Sequence, residues 1–127
     1  LLCGIEAQLY VTSVPASCEF FTSKLGFSTA FLYGEPAFYG QVYRDNARLN
    51  LRAVSEPVYA GDIRERESLL SASIIVGTNA MIERLFADFE STGVRFHQPL
   101  REEPWGATTF VIADLDGNLI LFAGPAE

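Results

Sequence analysis

Histidine and cysteine are scarce in this chain of 127 residues, with one histidine, His97, and two cysteines, Cys3 and Cys18. A single imidazole cannot supply the two-histidine core of the usual zinc or iron site. Two thiols allow one bridge at most, and neither belongs to a Cys-x-x-Cys, which argues against a metal knuckle or a thioredoxin-like motif. Reduced thiols in a cytoplasmic protein are the simplest reading. Bases are scarce too. Nine Lys and Arg face sixteen Asp and Glu, for a formal charge of -7. The basic face that a nucleic-acid partner would need is missing. Apolar runs fall far below the ~20 residues that cross a bilayer. The opening Leu1-Leu2-Cys3-Gly4 has neither the basic start nor the long apolar stretch of a secretory signal. No nucleic acid, no membrane and a cytoplasmic location are therefore expected. Gly34, Gly40, Gly61 and Gly106 stand alone, without a Gly-x-Gly-x-x-Gly or a lysine-bearing loop to cradle a phosphate.

Apolar residues make up 49% of the chain, enough for one domain to bury a core without disulfides or metals. The order of segments repeats. Ile5 to Thr12 reads as a strand. Ser13 caps a helix with Pro15 in its first turn. Cys18, Phe21 and Leu25 recur on one helical face, and Gly26 stops it. Phe27 to Tyr33 is the next strand, and Phe38 to Tyr43 with Leu49 to Val54 forms a hairpin. In the second half, Ala72 to Val76 reads as a strand. A helix capped by Thr78 or Asn79 runs to about Thr92, burying Ile82, Leu85, Phe86 and Phe89 before Gly93. Val94 to His97 is a short strand. Thr109 to Ala113 and Leu119 to Ala123 are joined by a turn at Asp116-Gly117. Residues 56–69 read as a connection whose Arg64-Glu65-Arg66-Glu67 run is solvated. The expected fold class is α+β: two βαβββ modules, about 5–54 and 70–124, pairing within a single domain as a curved mixed sheet around a cleft, a reading the repeat favours over an open α+β sandwich or a ferredoxin-like fold with extra strands.

Candidate chemistry is thin. His97 reads as a surface or locally bonded residue, and Cys18 as a small buried apolar one. Asp114 and Asp116 read as turn residues, not as a calcium loop. Glu6 is the odd acid in the first strand, a candidate for a cleft and for a lone general base. Aromatics are the positive signal: ten Phe, five Tyr and one Trp. Tyr33, Phe38, Tyr39, Tyr43 and Tyr59 cluster around the first hairpin, and Trp105 sits in Glu103-Pro104-Trp105-Gly106. A loop Trp can line a pocket and stack on a flat ligand. The acid excess would steer a cationic one.

Two motifs carry a resemblance. Val14-Pro15-Ala16-Ser17-Cys18-Glu19-Phe20-Phe21-Thr22-Ser23-Lys24-Leu25-Gly26-Phe27 is similar to the helix signature of the vicinal oxygen chelate superfamily. That superfamily includes glyoxalase I, ring-cleaving dioxygenases and bleomycin resistance proteins. Asp114-Leu115-Asp116-Gly117-Asn118-Leu119-Ile120 resembles its closing turn and strand. With the βαβββ repeat, the resemblance spans nearly the whole chain. The four metal positions of the superfamily fall on Glu6, near Asn50, near Ser71 and on Leu121. The resemblance therefore implies no metal and no cofactor. Glu103-Pro104-Trp105-Gly106 and the hairpin from Phe38 to Asp45 resemble the metal-free bleomycin resistance proteins, which are dimers that sequester a cationic glycopeptide.

What the resemblance implies is a metal-free small-molecule binding protein, a homodimer. It would hold a bleomycin-like or other cationic or aromatic antibiotic without chemical turnover. Phe38 and Trp105 would be aromatic walls, with Tyr43, Asn50, Glu6 and Ser71 as further contacts. The alternatives are a lyase- or dioxygenase-like enzyme with an atypical site, and a protein that uses the fold only to dimerise.

Overall fold

A computed structural model describes residues 1–126. Two compact units divide the chain, Leu1–Val58 and Tyr59–Glu127.

The first unit is built from β1 (Ala7–Val11), α1 (Val14–Leu25), β2 (Ser28–Gly34), β3 (Ala37–Arg44) and β4 (Ala47–Ala53). Ser13 caps α1 as expected, its Oγ accepting from the Ala16 N–H at 3.2 Å. Val14, Cys18, Phe21 and Leu25 form the buried stripe. Gly26 ends the helix at φ 72°, a left-handed turn that glycine adopts without strain. Arg44 Nη1 donates to the freed Leu25 carbonyl at 2.8 Å. The strands lie in the order β1-β4-β3-β2. β1 runs parallel to β4, and the other pairs are antiparallel. Strand side chains alternate. Leu9, Val11, Val42, Leu49 and Leu51 are buried on the side where Gly40 lets Val14 of α1 approach. Gln8, Tyr10, Tyr39, Gln41, Tyr43, Arg48, Asn50 and Arg52 fall on the other side.

The second unit repeats the order with β5 (Leu70–Ile75), α3 (Asn79–Ser91), β6 (Arg95–Glu102), β7 (Thr108–Ala113) and β8 (Leu119–Ala123). Its sheet reads β5-β8-β7-β6, again with the first pair parallel. Thr78 caps α3 through the Met81 N–H at 3.1 Å. Ile82, Leu85 and Phe89 are buried and Phe86 half-buried. Phe110 centres an aromatic core, with ring centroids 5.5 Å from Phe86, 5.9 Å from Phe89, 5.8 Å from Phe96 and 4.9 Å from Phe122. Such edge and offset contacts add to the apolar burial. On the opposite side of this sheet Val111, Ala113 and Leu119 are buried with Leu121 packed on them.

Three expected boundaries are corrected. The first strand begins at Ala7, leaving Ile5 and Glu6 outside it. β6 extends to Glu102, well past His97. It is an edge strand with two register irregularities, a setting where Pro99 is tolerated. The connection holds a short helix, α2 (Ile63–Arg66), too brief for a periodic pattern to reveal. Its Arg64 is not simply solvated. Nη1 donates to Asn118 Oδ1 at 3.1 Å and Nη2 to the Asp116 carbonyl at 2.6 Å, and the guanidinium lies 5.0 Å from the Tyr59 ring centroid. The charge run thus braces the Asp116-Gly117 turn. Among the described residues no helix is long and apolar enough to cross a membrane.

Phe110 is fully buried amid four rings, so Phe110→Ala should destabilise the protein by about 3–5 kcal/mol. Urea denaturation followed by circular dichroism measures this, and a loss below ~1 kcal/mol would contradict the packing described.

Candidate functional site

Residues on the open side of the first sheet meet in one polar knot. Glu6, just before β1, accepts at Oε1 from Asn50 Nδ2 at 3.0 Å and from Gln41 Nε2 at 3.3 Å. Gln41 Nε2 also donates to Asn50 Oδ1 at 2.9 Å. Arg48 Nη1 donates to Gln41 Oε1 at 3.0 Å, and its guanidinium lies 5.1 Å from the Tyr43 ring centroid. Arg48 therefore fixes which end of the Gln41 amide faces Glu6. Gln41 and Asn50 are buried, at 8% and 4% exposure, so their bonds matter: a buried amide left unpaired costs about 1–3 kcal/mol. Aromatic rings surround the knot. Tyr39 and Tyr43 flank Gln41 along β3, Phe31 is its partner across β2, and the Phe31 and Tyr39 centroids are 6.0 Å apart.

The expected contacts thus separate. Glu6 and Asn50 come together directly, and Tyr43 joins them through Arg48 and Gln41. Phe38 does not join. It is out of step with Tyr39 and Gln41 in strand alternation and packs edge-on to Tyr33 at 5.4 Å. Ser71 and Trp105 belong to the second unit, where β8 lies between the strand of one and the hairpin of the other. Ser71 Oγ donates to Asn118 Oδ1 at 3.4 Å. His97 pairs through Nε2 with Ser68, 29 residues away in sequence, at 3.0 Å.

These donors do not fit a transition metal. The Glu6 oxygen and the Asn50 carbonyl oxygen already accept from amide groups. In the second unit Leu121 pairs with Ser73, and neither position supplies an imidazole or a carboxylate. Among the described residues no three of His, Cys, Asp and Glu converge.

The second unit offers a braced hairpin between β6 and β7. Glu103 N–H donates to the Ala107 carbonyl at 2.7 Å, and Gly106 N–H to the Glu103 carbonyl at 2.9 Å. Glu103 Oε1 accepts from Arg101 Nε and from Thr109 Oγ1, both at 2.8 Å. Gln98 Nε2 donates to Thr109 Oγ1 at 3.0 Å. The Arg101 bond, with that from Thr109, pulls the Glu103 carboxyl below the usual glutamate range. Trp105 rides on this framework with 68% of its surface exposed. Asp114 makes the comparable brace in the closing turn. Its carboxylate accepts from the Asp116 and Asn118 N–H groups at 2.9 and 2.8 Å, while burial pushes its pKa up. Burial likewise raises the Cys18 thiol, in keeping with an unreactive packing residue.

Sequence reasoning missed Gln41, Arg48, Arg64 and Glu103. Strand alternation places Gln41 and Arg48 beside Asn50 once the register is known, and no spacing in the sequence reveals that register. Glu103 was visible as the start of the Pro-Trp-Gly segment but not as its anchor.

The family model described as the Glyoxalase/Bleomycin resistance protein/Dioxygenase superfamily matches residues 5–122. No curated protein matches the chain. Several solved structures share its fold. A bleomycin-binding protein from bleomycin-producing Streptomyces verticillus, complexed with copper(II)-bleomycin, is 19% identical, with 98% of each chain covered and a TM-score of 0.74. TioX from Micromonospora sp. ML1 is 19% identical, over 96% of this chain and 98% of that one, with a TM-score of 0.72. Lactoylglutathione lyase from Agrobacterium tumefaciens is 14% identical, over 98% and 94%, with a TM-score of 0.73. At these identities the likeness is one of fold, and it spans binders and enzymes by name.

Glu103 yields a pH test. Its folded pKa is depressed, so its contribution is present above the unfolded value and is lost as pH falls through the folded one. Wild type should therefore lose stability below the ordinary glutamate range, and Glu103→Gln should lose less of it. Denaturation midpoints at neutral and acid pH, read from the fluorescence of the single Trp105, check the difference.

Proposed function

The chain belongs to the glyoxalase/bleomycin resistance protein/dioxygenase superfamily, and within it we propose a metal-free small-molecule binding protein that sequesters a flat aromatic, antibiotic-like ligand without chemical turnover. The observation that carries this reading is Trp105, an indole kept exposed on a hairpin tied by its own backbone and by Glu103. A large aromatic ring held in water on a braced loop is a contact surface for a partner ring. Tyr43, Asn50 and Glu6 are the proposed contacts of the first unit and Ser71 a proposed polar contact of the second, while Phe38, packed edge-on to Tyr33, stands outside that group. Two further facts support the reading. A neighbour in fold is, by its name, a bleomycin-binding protein. The knot around Glu6 is satisfied by neutral amides, an arrangement suited to recognition and poor in activated groups. The free thiols of Cys3 and Cys18 are in keeping with a cytoplasmic setting.

We also propose a homodimer. β2 is exposed along its whole length, including Phe31, Leu32 and Tyr33, and Ile75 on the edge strand β5 is 78% exposed. Unprotected apolar edges of this kind invite pairing with a second copy. Sedimentation at tens of micromolar should give twice the mass of one chain, and a monomer at that concentration contradicts the proposal.

Trp105→Ala separates a ligand wall from a core residue. With its ring exposed, stability should change by no more than ~0.5 kcal/mol. Loss of a stacking anchor worth about 2 kcal/mol should weaken binding roughly thirtyfold. Fluorescence quenching of wild type by a panel of aromatic antibiotics identifies a ligand, and calorimetry on the variant reads the loss. Unchanged affinity in the folded variant sinks the assignment, and recovery of a chemically altered ligand points to an enzyme instead.

A further inference from the structure

The charge of the chain is unevenly placed. Residues 1–58 hold five acids and four bases, while residues 59–127 hold eleven acids and five bases. Nearly all of the excess of -7 therefore belongs to the second unit. The four strands of the first unit carry no acid and three arginines, Arg44, Arg48 and Arg52. Arg44 is engaged behind the sheet on the Leu25 carbonyl. Arg48 and Arg52 share the open face, two residues either side of Asn50 on β4, and both are exposed. Neither forms an ion pair with a described carboxylate. Glu6 reaches the same face; its Oε1 accepts from two neutral amides, which leave its charge in place, and the two guanidinium groups outnumber it. Arg52 is moreover the cross-strand partner of Tyr10 on one side and of Tyr39 on the other.

Two guanidinium groups without an ion-pair partner, interleaved with tyrosine rings, favour negative charge joined to a flat apolar body. We propose that the open face of the first sheet is a seat for a planar aromatic carboxylate, with Arg52 pairing with the carboxylate and Tyr10 and Tyr39 holding the ring. The proposal rests on the small-molecule reading above and adds the sign of the ligand's charge. The whole-chain excess of acid favours a cation. Local field, not net charge, decides what a short-range contact selects, because exposed charges beyond about 10 Å are screened at ordinary salt.

Arg48 is left intact in the test because it also orients Gln41. Calorimetric titration with naphthalene-2-carboxylate, naphthalene-2-carboxamide and 2-naphthylmethylammonium compares one ring carrying three charges. The carboxylate should bind at least about tenfold tighter than the amide, and the ammonium more weakly than either. Arg52→Gln should remove the advantage of the carboxylate, Arg52→Lys should keep part of it, and Arg84→Gln on α3 should leave it whole. About 0.5 M salt should shrink the same difference in wild type, a measurement that needs no variant. Tighter binding of the ammonium, or an Arg52→Gln protein that still prefers the carboxylate, overturns the anionic seat and leaves the small-molecule reading standing. No binding of any of the three also overturns the seat, while the antibiotic panel with Trp105 decides the broader reading separately.

Discussion

Each four-stranded sheet of this protein has one helix to cover it, and a helix covers one face. Alternation along the strands then divides every strand residue between a side that faces α1 or α3 and a side that does not. The helix-facing sides obey the same rule in both units. In the first, Leu9, Val42 and Leu51 are fully buried, as are Val14 and Phe21 of α1. In the second, Phe110 and Phe122 stack and Phe89 packs on both. Burial of apolar surface at about 25 cal/mol per Å² drives both cores, and little freedom of composition remains on those sides. The opposite sides differ between the two units.

There the repeats have diverged. The open side of the first sheet carries an amide-carboxylate knot set among tyrosines and two arginines. The same side of the second sheet is apolar at its centre, where Val111, Ala113 and Leu119 pack with Leu121. Asn50 and Leu121 occupy equivalent strands, β4 and β8, of one repeated topology. One position is a hydrogen-bonding hub and the other a packing residue.

The polar braces give the molecule its defined loops. Glu103 anchors the Trp105 hairpin through Arg101 and Thr109, and Asp114 closes the last turn, which Arg64 holds from outside. Loops braced in this way hold exposed side chains without ordering them anew at each binding event, which lowers the entropic cost of contact.

Much of the fold was legible in the sequence because its signals are local. Ser13 and Gly26 mark the ends of α1, Thr78 and Gly93 bracket α3, and Asp116-Gly117 makes a turn whatever surrounds it. The helical stripes could be read from spacing alone. The open face could not. Which residues stand beside Asn50 depends on register across β3 and β4, and strand pairing carries no signature in the spacing of one chain segment. The long β6 was hidden by Pro99, acceptable there only because the strand is an edge. Arg64 looked solvated because its partners lie some fifty residues away, at Asp116 and Asn118. The sequence by itself determined the α+β class, the repeat and the helix ends, since each follows from backbone preferences within a few residues. Only the tertiary structure decided that Glu6, Gln41, Arg48 and Asn50 form one network, since hydrogen bonds depend on distance in space.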